Sequence, residues 1–161
     1  MNAEVATFWR YAASSLDRLV ALVAGLDEVE LGWRPPAEDA NSLRVLAVHT
    51  LGNTEENLVG LLGEGDVARD REAEFTADTG GGAELERRWR SLRARVERAL
   101  AGLDAEALTR QYAHPRRGTI SGREVLLIVA RHAAEHLGQA ELTRDLLRRA
   151  QRSGSSAAGS T

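Results

Sequence analysis

Apolar residues recur at steps of three and four positions in four long segments of this chain, which is the spacing of one face of an α-helix. The segments predict helices near residues 3–26, 43–62, 83–103 and 121–149. No internal repeat and no β-hairpin pattern is recognised between them. Because each amphipathic helix must bury its apolar face against another, the sequence predicts an all-α fold in which the four helices form one bundle.

The segments between the first three predicted helices carry strong helix-breaking signals. Residues 27–42 include a Pro-Pro pair that breaks any helix, and they end in Asn41 and Ser42, either of which can cap the second helix. Residues 63–82 are long, charged and closed by three consecutive glycines. We therefore predict that residues 63–82 cross from one end of the bundle to the other, between the second and third helices.

The fourth helix and the residues after it define the end of the domain. Ser121 followed by Glu124 is a capping-box sequence, which predicts the start of the helix. The last residues of the chain are small and polar. A chain of 161 residues has about the length of one domain, so we predict a bundle domain at 1–150 and a flexible polar tail at 151–161.

Charge and residue usage exclude several kinds of chemistry. The 21 basic residues are interleaved among 24 acidic ones, so no surface of a single sign favours nucleic acid or anionic lipid as a partner. The chain has no cysteine, which excludes disulfides, thiolate metal ligands and a cysteine nucleophile. It also has no lysine, which excludes Schiff-base chemistry.

The hydropathy of the chain predicts a cytoplasmic protein without a membrane segment. No apolar run approaches the roughly 18 residues that a membrane-spanning helix needs. The first ten residues, MNAEVATFWR, lack the basic start and apolar core of a signal peptide.

Three histidines share the inward faces of two predicted helices. His132 and His136 stand four positions apart in the fourth helix, and at about 100° per residue they lie roughly 40° apart on the same face as its apolar residues. His49 occupies the corresponding face of the second helix. A single core histidine is usually satisfied by a carbonyl or carboxylate, but three inward histidines favour a metal site with an open coordination position.

Other polar residues near these histidines have alternative interpretations. Glu56 lies two turns after His49 and either accepts a hydrogen bond from an imidazole or faces solvent at the helix end. Gln139 can orient a histidine ligand, whereas Glu135 is expected to be half-exposed. Gly138 is costly inside a helix, which suggests the close approach of another helix or of a substrate. The fourth histidine, His114 in YAHPRRG, is predicted to be a surface residue in a loop.

Two segments resemble the DinB/YfiT-like superfamily of metalloenzymes. They are LAVHTLGNTEENLVG, which contains His49, and the H-x-x-x-H-x-G-Q run from His132 to Gln139. The resemblance spans residues 1 to about 150. It implies a four-helix bundle of mirror-variant up-and-down topology and a homodimer. It also implies a site for a divalent metal such as zinc or nickel, with His49, His132 and His136 as ligands.

The resemblance also implies a class of reaction. Relatives include transferases and an isomerase that use low-molecular-weight thiols such as bacillithiol or mycothiol. A divalent metal held by three neutral imidazoles lowers the pKa of a bound water toward about 7 and favours the deprotonated form of a thiol. Because the chain has no cysteine, a thiolate reaction needs a thiol cosubstrate.

Three classes of function are therefore open from the sequence. The first is a metal-dependent thiol S-transferase or detoxification and stress enzyme that acts on a small electrophile. The second is a metal-dependent hydrolase with Glu56 as the catalytic base. The third is a non-enzymatic, dimeric metal-binding stress protein. Arg116 and Arg117 can bind a carboxylate or phosphate, or can be a solvated loop pair. A cleft beside the metal would favour catalysis over a structural role.

Overall fold

Four long helices form the bundle in the computed structural model, which describes residues 1–78 and 80–158, with side chains up to residue 153. The long helices are α1 (Ala3–Ala24), α3 (Leu43–Thr54, continued by a π-helical segment Glu55–Leu61), α5 (Gly82–Ala101) and α7 (Gly122–Ala158). Shorter helices are α2 (Glu28–Gly32), α4 (Arg71–Phe75) and α6 (Ala105–Thr109). The predicted all-α four-helix bundle is confirmed.

The core lies between α1, α3, α5 and α7. Helix α1 packs against α7 and α5, and α3 packs against α7 and α1. Apolar side chains from all four helices fill the space between them, and Trp9 packs on Trp89 with 6.2 Å between ring centroids. The indole nitrogen of Trp89 donates a hydrogen bond to Asp17 Oδ1 over 2.8 Å. Among the described residues, none of the helices has the length and apolar character needed to cross a membrane.

The connection between α3 and α5 is the predicted crossover, but it contains a helix that the sequence analysis did not identify. Helix α4 begins after Asp70, whose side chain accepts a hydrogen bond from the backbone N–H of Ala73 over 3.0 Å. The helix packs against α3. It thereby brings an acidic side chain, Glu74, from the crossover into the interior, where it is buried.

A β-hairpin precedes α7, so the prediction that the chain has no hairpin is wrong. Strands β1 (Gln111–His114) and β2 (Gly118–Ser121) pair antiparallel, with Tyr112 opposite Ile120. Gly118 adopts φ +70°, a left-handed conformation that glycine tolerates without steric cost. The turn therefore depends on this glycine, and the flanking aromatic and β-branched residues favour the extended strands.

Two helices begin at their predicted capping residues, whereas α7 ends later than predicted. Ser42 accepts a hydrogen bond from Val45 N, and the backbone N–H of Ser121 donates to the Glu124 carboxylate over 2.7 Å. At the other end, α7 continues to Ala158 rather than stopping near Arg149. Residues 159–161 of the predicted polar tail lie outside the described residues, and the division into a domain and a flexible tail stays a prediction.

Candidate metal centre

The three predicted histidines meet between α3 and α7. His132 Nε2 lies 3.2 Å from His49 Nε2 and 3.1 Å from His136 Nε2. The three candidate ligand atoms all lie within 4.8 Å of one another. Neighbouring nitrogens bound to one metal at about 2.0–2.1 Å are roughly 2.8–3.4 Å apart in octahedral or tetrahedral geometry. The spacing therefore fits a shared divalent metal, and the predicted convergence of His49 with the α7 pair is observed.

The hydrogen bonds behind the cluster fix which ring nitrogens carry protons. His49 Nδ1 lies 2.9 Å from Glu74 Oε2, and His136 Nδ1 lies 2.7 Å from Gln139 Oε1. Because an ionised carboxylate and an amide oxygen only accept, each Nδ1 is a donor, and in the neutral ring each Nε2 then presents a lone pair. The predicted orienting role of Gln139 is consistent with this contact.

Hydrogen bonds among the three neutral rings cannot pair every lone pair in the cluster. His132 Nε2 can donate its single proton to only one of the two neighbouring lone pairs, which leaves the other without a partner. His132 Nδ1 is buried with no hydrogen-bond partner among the described residues, so no contact at Nδ1 favours either tautomer. A metal ion between the three Nε2 atoms satisfies all three lone pairs at once. The residues present therefore fit a metal.

Burial keeps two of these imidazoles in the form that binds metal. Burial, together with the neighbouring His136 and His49, lowers the pKa of His132 to about 3. Burial also lowers the pKa of His136, against the opposing effect of its hydrogen bond to Gln139. Both rings are consequently neutral at pH 7, and neutral imidazole is the ligand form.

Glu74 is a site residue that the sequence analysis missed. Its carboxylate accepts from His49 on one side and from Arg69 on the other, with Arg69 Nε and Nη2 each 2.7 Å from a different oxygen. Burial acts to raise the pKa of Glu74, but the hydrogen bonds from His49 and Arg69 outweigh it, so the pKa is lowered. An ionised carboxylate behind a ligand histidine fixes the tautomer and strengthens the ligand.

Gly52 provides the space that Glu74 occupies. A methyl group added to Gly52 of α3 would lie 2.0 Å from Glu74 Oε1 and 3.3 Å from Arg69 Nε. No side chain can approach a carboxylate oxygen so closely without displacing it. The missing side chain therefore lets the Glu74–Arg69 pair lie directly against the helix that carries His49.

We expect Gly52→Ala to push the Glu74 carboxylate away from His49 Nδ1 and to weaken metal binding by about tenfold or more. Competition with a chromophoric chelator measures the affinity. Gly138→Ala is the matched control, since a Cβ there meets no atom within 4 Å. That variant should stabilise the fold by up to about 1 kcal/mol without changing the affinity. Equal affinities in the two variants would contradict this role of Gly52.

The open space around Gly138 contradicts one of the two causes expected for it, the close approach of another helix, and the approach of a substrate stays a prediction. The glycine is exposed on α7, and no helix among the described residues approaches it. Its neighbour Glu135 is exposed and pairs with Arg131 over 3.2 Å. This part of α7 therefore contributes to the site through His136 and Gln139.

Glu56 occupies neither of the two placements that its sequence position suggested. It lies in the π-helical segment after α3, its side chain is 16% exposed, and the imidazole partner is Glu74 instead. Arg69 Nη1 donates to Glu56 Oε2 over 2.9 Å, and Arg116 Nη1 donates to Oε1 over 3.1 Å. Although burial acts to raise it, the pKa of Glu56 is lowered by these arginines. The catalytic role of Glu56 stays a prediction.

His114 is buried, so its predicted position on the surface of a loop is wrong. It is the last residue of β1, and its Nδ1 accepts a hydrogen bond from the backbone N–H of Arg116 over 3.1 Å. Burial and the nearby charge of Arg116 lower its pKa. The hairpin folds His114 inward, and the sequence signal for it is the Pro115-to-Gly118 turn.

A cavity of about 350 Å³ adjoins the histidine cluster. His49 and His132 form part of its wall, together with Asn53, His114 and four arginines. Two of the three imidazoles therefore border a space large enough for a small molecule. An open position beside the metal is typical of catalytic rather than structural metal sites.

The chain matches the model of one protein family and resembles a solved structure. The model of a family described as the DinB superfamily matches residues 12–140. Among solved structures, a conserved protein from Enterococcus faecalis superimposes with a TM-score of 0.74. The two are 16% identical in sequence, and the match covers 91% of this chain and 98% of the other. At that identity the likeness concerns the fold alone. None of the curated proteins matches the chain.

Proposed function

The chain belongs to the DinB superfamily, and from this premise we propose that it is a metal-dependent thiol S-transferase with a detoxification or stress role. The observation that carries the proposal is the convergence of three imidazoles, two of which have their outer nitrogens held as donors, beside a cavity of about 350 Å³. Zinc or nickel is the metal we propose, because both suit imidazole ligands. The homodimer stays a prediction.

The chain's own residues have distinct roles in this proposal. His49, His132 and His136 hold the metal, and Glu74 and Gln139 hold the outer nitrogens of two of these rings so that Nε2 faces inward. A divalent metal so bound supplies positive charge that lowers the pKa of a thiol or of water in the site. The cavity beside His49 and His132 admits the reactants.

The chain's composition favours a thiol cosubstrate within this proposal. Without cysteine in the chain, the reacting sulfur must come from a small molecule, such as bacillithiol or mycothiol. The thiol gives its S–H proton to solvent, and its sulfur bonds to an electrophilic carbon. With an alkyl halide the halide departs with the electrons of the broken bond. With an epoxide or an unsaturated carbonyl compound those electrons form an alkoxide or enolate that stays attached and takes up a proton from solvent. Thiols are kept reduced in the cytoplasm, which is the location we propose.

The hydrolase alternative has less support from the site. It requires a carboxylate base that can take a proton from water, and Glu56 was the residue proposed for that role. Two arginines hold Glu56 and lower its pKa, which makes it a weak base. Glu74 is equally committed to His49 and Arg69.

Thiol consumption tests the proposed function. Zinc-loaded and nickel-loaded protein are incubated with bacillithiol, mycothiol or glutathione and with an epoxide, an alkyl halide or an α,β-unsaturated carbonyl compound. We expect metal-dependent loss of thiol and formation of a thioether in the wild type, with no reaction above background in His136→Ala. Hydrolysis of ester substrates without thiol consumption would overturn the proposal in favour of a hydrolase.

A further inference from the structure

The cavity beside the histidine cluster has a strongly basic wall. Arg69, Arg71, Arg116 and Arg117 all line it, and no acidic residue of the described chain does. Arg69 is neutralised from behind by Glu74 and Glu56, and Arg116 shares Glu56. The side chain of Arg117 makes no ion pair or hydrogen bond within the described residues. The cavity therefore contains uncompensated positive charge.

His114 adds a neutral donor to the same wall. The residue is only 5% exposed, yet it lines the cavity. Because Nδ1 accepts from the backbone of Arg116, the neutral ring carries its proton on Nε2. Within the described part of the chain, this Nε2–H has no hydrogen-bond partner. A donor group on a nearly buried side chain thus remains available to a ligand.

Arg71 lines the cavity and packs on an aromatic ring that also contacts His49. Its guanidinium carbon lies 4.9 Å above the centre of the Phe75 ring, and that ring packs 4.8 Å from the ring of His49. Its carboxylate neighbour Glu72 is 86% exposed, so their ion pair is worth little. An anion in the cavity can therefore compete for Arg71.

We propose that the cavity is an oxyanion subsite, in which a carboxylate or phosphate group of the substrate binds Arg117 and the Nε2–H of His114, with Arg71 supplying further positive charge. That the bound group belongs to a substrate rests on the proposed function, whereas the anion site itself does not. Charge-assisted hydrogen bonds from guanidinium to oxyanion are the strong ones. Anchoring one end of the substrate here would orient its reactive centre toward the three Nε2 atoms.

Anion binding to metal-free protein tests the subsite separately from any catalysis. Chelator-treated protein, dialysed free of chelator, is titrated calorimetrically with inorganic phosphate and with succinate. The wild type should bind at least one of them, and the tighter one identifies phosphate or carboxylate as the group recognised. Arg117→Gln should weaken this binding about tenfold or more, the loss of one charge-assisted hydrogen bond. Arg117→Lys should retain part of it.

Arg90→Gln is the matched control, since Arg90 is an exposed arginine on α5 outside the cavity. It should bind the anion as the wild type does. A wild type that binds neither anion, or an Arg117→Gln variant that binds as tightly as Arg90→Gln, would overturn the proposal. The two proposals can fail separately. A protein that binds no anion can still consume thiol, and a protein that consumes no thiol can still bind the anion.

Discussion

Glu74→Ala is expected to lower the free energy of unfolding by about 3–5 kcal/mol and to weaken metal binding by about 10–100-fold. The Glu74 side chain is 7% exposed and holds Arg69, itself 5% exposed, together with His49. Removing the carboxylate leaves a buried guanidinium with Glu56 as its remaining acidic partner. It also leaves His49 Nδ1 without the acceptor that fixes its tautomer. Urea unfolding in the presence of chelator measures the change in the free energy of unfolding without the contribution of bound metal.

Two further variants separate the loss of the charge beside Arg69 from the loss of the hydrogen-bond acceptor for His49. Glu74→Gln keeps an acceptor for His49 Nδ1 but removes the charge that compensates Arg69, so it should lose stability and retain more metal affinity than alanine does. Glu72→Ala removes an exposed carboxylate from the same helix and should change stability by no more than about 0.5 kcal/mol. If Glu74→Ala lost no more free energy of unfolding than Glu72→Ala, Glu74 would not be a buried support for Arg69 and His49.

Zinc or nickel should raise the melting temperature of the wild type by about 10 °C when present at roughly a thousandfold excess over its Kd. A ligand that binds only the folded state contributes about 4 kcal/mol at that excess. For a domain of this size each kcal/mol corresponds to about 2–4 °C. Chelator should reverse the rise. His132→Ala and His136→Ala should show almost no rise, because each removes one of three converging nitrogens.

His114→Ala is the informative control for the metal response. His114 lines the same cavity as His49 and His132 but does not belong to the group of converging ligands. Its replacement should lower the starting melting temperature, because the side chain is buried, while the rise on adding metal is preserved. A metal response of wild-type size in His132→Ala would show that the ion binds elsewhere.

The helices and the histidine cluster were accessible from sequence because both follow from helical geometry. Apolar residues at steps of three and four define which face is buried, and the same periodicity places His132 and His136 on that face. The convergence with His49 follows once α3 and α7 pack together, as they do. Gln139, one turn after His136, is oriented by the same spacing.

The support for the cluster was not accessible in the same way. Glu74 lies in a charged crossover, where a glutamate ordinarily faces solvent. It becomes buried because α4 docks on α3 and because Gly52 leaves room for its carboxylate, and both are properties of the tertiary packing. No local pattern pairs Arg69 with Glu74 and Glu56, since the pairing depends on where the crossover returns to the bundle.

The hairpin shows a signal that was present but not recognised. Tyr112 and Ile120 flank a turn that begins at Pro115 and ends at Gly118, the composition of a strand–turn–strand unit. Once the strands pair, His114 is turned inward and buried, which a loop assignment could not reveal. The error in placing His114 therefore followed from the error in secondary structure.

X-ray absorption at the zinc edge of protein loaded with one equivalent of zinc tests the central claim most directly. The account predicts that the ion stays bound through gel filtration. Its spectrum should show three imidazole nitrogens at about 2.0–2.1 Å, with any remaining ligand a light atom from solvent. His136→Ala should lose one imidazole or the ion itself. A spectrum dominated by oxygen ligands, or one that His136→Ala leaves unchanged, would contradict a metal centre formed by His49, His132 and His136.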